Sequence, residues 1–168
     1  MLGAALWSAG YAAEIISPQI STKIFWAKFQ YLGIITVPLA WFLFALRYLG
    51  PPTWLLAWRS YWPLLGIIPA ATLLLTWTNE LHQAVWSQAP QLTPVGPLTV
   101  LVFPHGAWFW VYIVYSYLLV LLGTVWLVYR LLGSNRLTRI QVSLAMTGAL
   151  FPWLGNLLYV FHLVPIPG

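Results

Sequence analysis

The chain has 168 residues, of which 61% are hydrophobic, 17% aromatic and only 5% charged. That is too few charges to cover a water-soluble domain of this length, so the sequence reads as an integral membrane protein. It has no cysteine, which excludes disulfides, thiolate metal sites and thiol catalysis. The formal net charge of +5 comes from basic residues at the ends of apolar runs, where they mark topology and headgroup contacts; no compact basic tract or motif points to nucleic acid.

Residues 1–16 are apolar and rich in small side chains, with Glu14 near the end. At about 1.5 Å per residue this run reaches roughly 24 Å, short of a ~30 Å hydrocarbon core. It is expected to be a short or truncated transmembrane helix. A signal peptide would need a basic start and no Glu14. Residues 24–48 predict a second helix, with Lys23 and Lys28 at its start and Arg47 at its end. Pro38 inside it should free a carbonyl one turn earlier. After Gly50-Pro51-Pro52-Thr53, the cluster Trp54, Trp58, Arg59, Tyr61 and Trp62 suits a headgroup interface.

A third helix is predicted over 61–78, with Pro63 and Pro69 inside it. Residues 79–105 form the longest non-spanning interval, punctuated by Pro90, Pro94, Gly96, Pro97 and Pro104. Its apolar piece 98–103 is too short to span and fits a strand, a re-entrant piece or an interfacial lid. Residues 107–132 predict the strongest span, carrying Tyr112, Tyr115 and Tyr117 as polar handles. The turn Gly133-Ser134-Asn135 is flanked by Arg130, Arg136 and Arg139. A fifth helix is expected over 138–163, broken by Pro152, with Asn156 one turn later; the chain then ends abruptly, as though more sequence should follow.

These runs predict one all-α membrane domain over 1–168, a bundle of five spanning helices with one long extracytoplasmic loop. Arg47, Arg59, Arg130, Arg136 and Arg139 fall on one side. The positive-inside rule places that side in the cytoplasm, with loop 79–105 and the chain end outside. No internal repeat of fixed period is visible, and the near absence of intramembrane charge makes a transporter or channel the weaker reading.

The stretch from Thr76 to Trp86 attracts attention because it joins an apolar run to the long polar interval and holds Asn79, Glu80 and His82. If the third helix continues, Asn79, His82 and Gln83 share a face that suits a polar ligand. These residues and Glu14 are the candidate ligand or switch positions. For Glu14 a buried hydrogen-bonding strut or helix-end residue is preferred over a ligand contact or proton-linked switch. His82, His105 and His162 all fall at outer helix ends. Without metal-ligand spacing they read as independent interfacial residues, and no metal is expected. Gln30, Gln141 and Asn156 read as structural polar groups, Asn156 by bonding backbone freed at Pro152. No catalytic constellation is visible, so no enzyme is expected in these residues.

Several segments in order then carry a resemblance. They are Trp7-x-x-x-Tyr11-x-x-Glu14, Lys23-x-x-Trp26-x-Lys28-x-Gln30-Tyr31-Leu32-Gly33 and Pro38-x-x-Trp41-x-x-Phe44-Ala45-Leu46. Thr78-Asn79-Glu80-Leu81-His82, Trp108-Phe109-Trp110-Val111 and Tyr115-Ser116-Tyr117 follow, then Arg139-x-Gln141 and Pro152-x-x-Gly155-Asn156-x-x-Tyr159. The set resembles the N-terminal seven-helix membrane domain of bacterial sensor histidine kinases, also found on diguanylate cyclases. The resemblance implies that this chain holds the second to sixth helices, with a helix on either side and a cytoplasmic output domain beyond. It implies the bacterial cytoplasmic (inner) membrane and two-component signalling. By motif, Glu14, Lys28, Gln30, Asn79, His82, Gln141 and Asn156 occupy the family's polar positions. No kinase H-box, ATP-binding segment or cyclase motif occurs in the chain, so any kinase activity would lie in a domain outside it.

The leading expectation is therefore a sensory module in the lipid bilayer, as a homodimer or in a larger membrane complex. Its signal would be an unknown small apolar or aromatic ligand. The alternative is an accessory subunit of an energy-transducing or photosynthetic complex, packing on partners, lipids or pigments. No cofactor is expected; pigment or haem belongs only to that larger-complex alternative.

Overall fold

A computed structural model describes residues 2–50, 59–95, 98–132, 140–144 and 146–148. The expectations for Trp54, Trp58, the turn at 133–135, Arg136, Arg139, Pro152, Asn156 and His162 lie outside the described residues. Helix α1 spans Leu2–Ile16 and α2 spans Ile20–Leu49. A 3-10 stretch, Arg59–Gly66, leads into α3, Ile67–Trp77. One further turn, α4, covers Asn79–His82. Strands β1 (Gln91–Val95) and β2 (Leu98–Val102) precede the long helix α5, Ala107–Leu132. Residues 140–144 and 146–148 are helical.

The structure sharpens three features of the sequence expectation. Helix α2 begins at Ile20 rather than at residue 24, because the Lys23 amide already donates to the Gln19 carbonyl at 3.0 Å. The third helix opens as a 3-10 stretch, where Pro63 lacks an amide hydrogen and Gly66 adds backbone freedom. The long interval is not a bare loop. Its apolar piece takes the strand alternative over Leu98–Val102, with β1 and β2 paired antiparallel in the register Gln91↔Val102 through Val95↔Leu98.

The helices alternate in direction. Gly10 of α1 packs on Gln30 of α2, and Gly3 packs on Gly33, so those two helices run antiparallel. Their backbones touch at Gly33, where any Cβ would collide with the Gly3 carbonyl and with Trp7. The Lys28 side chain of α2 reaches the last carbonyl of α3. Helix α5 runs parallel to α2, pairing Tyr112 with Ile34, Thr124 with Trp41 and Trp126 with Gly50. One end of the bundle therefore gathers the end of α1, the start of α2, the end of α3, the hairpin and the start of α5.

Two apolar clusters hold the bundle. At the hairpin end Ala27, Tyr31, Ile35, Val85, Trp86 and Tyr112 are buried together. Towards the other end Ala45, Leu127 and Val142 form a second cluster. Among the described residues, 20–48 and 107–131 are helices long and apolar enough to cross a membrane. Helix α5 exposes Val114, Leu118, Leu121, Leu122 and Val125 along one side. Lipid accommodates such a stripe and water does not.

Candidate functional site

The Thr76–Trp86 stretch owes its shape to a helix that stops twice. Helix α3 ends at Trp77, and α4 ends when Gln83 turns left-handed at φ 53° while its amide donates to the Asn79 carbonyl at 2.8 Å. Asn79 then closes the loop. Its Oδ1 accepts the amides of Val85 and Trp86, each at 3.0 Å, and its Nδ2 donates to the Trp86 carbonyl at 3.0 Å. A loop can enter an apolar core only if its backbone groups are satisfied. Asn79 supplies those partners, and Val85 and Trp86 go in, at 0% and 4% exposure. Trp86 stacks on Phe103 with centroids 4.4 Å apart and meets Tyr31 edge-on.

The same loop completes the start of α5. Helix starts carry amides without helical partners. Here Gly106 and Trp108 donate theirs to the carbonyls of Val85 and Ala84, both at 2.8 Å. Gly106 has no room for a side chain, since a Cβ would strike the Ala84 carbonyl.

Asn79, His82 and Gln83 do not share a working face. Asn79 is buried, whereas His82 and Gln83 are exposed; the helical turn ends at His82, and the left-handed Gln83 takes the chain off the helical path. His82 Nδ1 accepts the Ala84 amide at 3.0 Å, and its Nε2 lies 3.1 Å from Thr78 Oγ1. The Thr78 hydroxyl also donates to the Leu74 carbonyl at 2.8 Å, so the imidazole is held between the end of α3 and the Ala84 amide. Glu80 is exposed. Its two oxygens accept from Lys28 Nζ at 2.7 and 2.9 Å, and the same ammonium donates to the Trp77 carbonyl at 3.1 Å. That hydrogen-bonded cation holds the Glu80 carboxyl below the usual carboxylate range.

Glu14 sits apart from this turn, at the α1–α2 contact. It is 5% exposed and accepts from Gln30 Nε2 at 2.5 Å. Beside it Lys23, 3% exposed, donates to the carbonyls of Glu14 at 2.8 Å, Ile15 at 3.0 Å and Thr99 at 2.8 Å. One ammonium thus caps the last turn of α1, where the helix dipole favours a cation, and ties it to β2. Gln141 accepts from the Tyr48 hydroxyl at 3.1 Å near the other end of the bundle. His105 stacks on Phe109 with centroids 3.8 Å apart. Among the described residues no group of three or more His, Cys, Asp and Glu comes together as a metal site.

Sequence reasoning passed over two residues here. Lys23 looked like a headgroup anchor, yet Ser17-Pro18 between Glu14 and Lys23 signals a reversal that brings the two to one level. Trp86 looked like part of a polar interval, and no local signal marks its burial.

A protein-family model described as the N-terminal 7TM region of histidine kinase matches residues 1–168. Comparison with curated proteins and with solved structures returned no match.

Proposed function

This chain belongs to the family of N-terminal 7TM regions of histidine kinases, and from that premise we propose that it is the ligand-responsive sensory part of a bacterial signalling protein. The family makes it a multi-pass region of an integral membrane protein. In our reading five helices span the cytoplasmic membrane. The arginine-bearing ends face the cytoplasm, the hairpin end faces outward, and phosphoryl transfer belongs to a domain outside these 168 residues. The match over the whole chain is the observation that carries this reading.

The hairpin end is where a signal would act. There the exposed Glu80 and His82 sit on the turn whose next residues, Val85 and Trp86, are buried in the helix cluster. A small apolar or aromatic ligand, or a partner, that moved this turn would shift helix packing and bias an attached output domain.

The test uses the full-length protein in membranes, with autophosphorylation as readout. His82→Ala and Glu80→Gln alter exposed groups and should leave melting nearly unchanged while shifting kinase output several-fold. Wild-type output in both variants would remove the proposed role of this turn. Recovery of the chain at fixed stoichiometry in a complex without any kinase would support the accessory-subunit alternative instead.

A further inference from the structure

Proline has no amide hydrogen, so inside a helix the carbonyl four residues earlier loses its helical donor. Pro38 does this to Ile34 in α2; Pro69, in the first turn of α3, likewise has no amide to offer the Leu65 carbonyl in the 3-10 stretch that leads into that helix. In a membrane interior such carbonyls need a partner from elsewhere. Helix α5 provides both. The Tyr112 hydroxyl donates to the Ile34 carbonyl at 2.8 Å, and the Tyr115 hydroxyl donates to the Leu65 carbonyl at 2.6 Å. The two tyrosines are three residues apart, so they leave the same side of α5, with ring centroids 6.3 Å apart. A tyrosine hydroxyl is too far along its side chain to bond its own helix as serine or threonine does. Two such hydroxyls landing on the two carbonyls that lie four residues before prolines, Pro38 inside α2 and Pro69 in the first turn of α3, is a specific match.

Tyr112 has a second contact. It is 3% exposed and lies in the buried cluster with Val85 and Trp86, the residues that Asn79 holds in place. The outer turn is therefore joined, through the buried cluster of Trp86, Tyr31 and Tyr112, to the proline position of α2. Tyr115 extends it to α3.

We propose that Tyr112 and Tyr115 form a clasp by which α5 fixes the proline positions of α2 and α3 together, and that movement of the outer turn reaches the helix interior by releasing it. The regulatory half rests on the sensory reading above; the clasp itself does not. The tyrosines are positioning residues, acting through the backbone of two other helices. The arrangement also gives the two discrete states that signal transmission requires, hydroxyl bonded and hydroxyl released.

The experiment is a double-mutant cycle in the full-length protein in nanodiscs, read by thermal melting and by autophosphorylation. Tyr112→Phe removes the donor, and Pro38→Ala restores the in-helix amide to the same carbonyl. With the clasp, Tyr112→Phe lowers the melting temperature by roughly 3 °C in the wild-type background, and the loss largely disappears beside Pro38→Ala. Tyr115→Phe with Pro69→Ala behaves alike and keeps the test open should Pro38→Ala fail to fold. The crossed pair Tyr112→Phe with Pro69→Ala is nearly additive. In the same series Tyr112→Phe shifts the ratio of active to inactive kinase about fivefold, and the shift is absent beside Pro38→Ala.

Equal effects of each tyrosine change in both proline backgrounds would overturn the clasp. Coupled melting with unchanged output would overturn its regulatory role. Coupled melting with an output that no variant moves, His82→Ala included, would overturn the sensory reading and leave the clasp standing as a structural staple.

Discussion

The two lysines of α2 hold two junctions of the hairpin end in opposite ways. Lys23 is buried, bonded to three backbone carbonyls drawn from α1 and β2. Lys28, little more than one turn along, also touches a helix-end carbonyl, but its main partner is the Glu80 carboxylate, whose side chain is 64% exposed. The first junction has no water to fall back on, whereas the second has water on its acidic side. The same side chain is thus a fixed tie in one place and an adjustable contact in the other. The proposed sensory turn lies on the adjustable side.

The largest test of that contrast is Lys23→Met. It leaves three carbonyls without their cation and should cost about 3 kcal/mol in detergent-solubilised melting. Lys28→Met should cost about 1 kcal/mol or less, because Glu80 regains water; equal losses at the two sites would break the comparison. Asn79→Ala comes next, at about 2 kcal/mol. It strips the partners from the Val85 and Trp86 backbone, and red-shifted tryptophan emission should report Trp86 reaching a wetter environment.

Glu14→Gln is smaller. A Gln side chain still accepts from Gln30, so a strut predicts a change within about 1 kcal/mol and unaltered pH dependence of kinase output. A proton-linked switch predicts an output that no longer responds to pH. The smallest effect belongs to Glu80. Its folded pKa is lowered, so the Lys28 contact contributes fully above the ordinary carboxylate range and is lost as pH falls through the lowered value. With so exposed a partner this acid-side loss should stay below about 1 kcal/mol, and Glu80→Gln should remove it.

What the sequence discloses divides along similar lines. The course of α5 is legible because the stretch from Ala107 to Leu132 is long, strongly apolar and free of proline. Pro38 announces that a carbonyl is freed, since that follows from one residue's covalent structure. The donor, Tyr112, lies 78 positions from Ile34 and only packing brings it there. Residues 98–103 fit a strand or a membrane-surface piece equally, and their partner β1 contains Pro94, which hides its strand character. In the candidate site, Asn79, Glu80 and His82 were found by their polarity amid apolar runs. The saturation of Asn79 by the backbone of Val85 and Trp86 depends on Gln83 turning left-handed, a conformation that its side chain does not advertise.

The lysine contacts also set how the hairpin end meets the solution. Its formal charges are two lysines and two glutamates, and the interval 79–105 adds no further Lys, Arg, Asp or Glu. The five arginines, all at the opposite helix ends in the sequence, account for the net +5. A solute diffusing towards the hairpin end therefore meets almost no long-range field to steer it. Its encounter rate should vary little with ionic strength, and discrimination at that surface must come from shape and short-range contact.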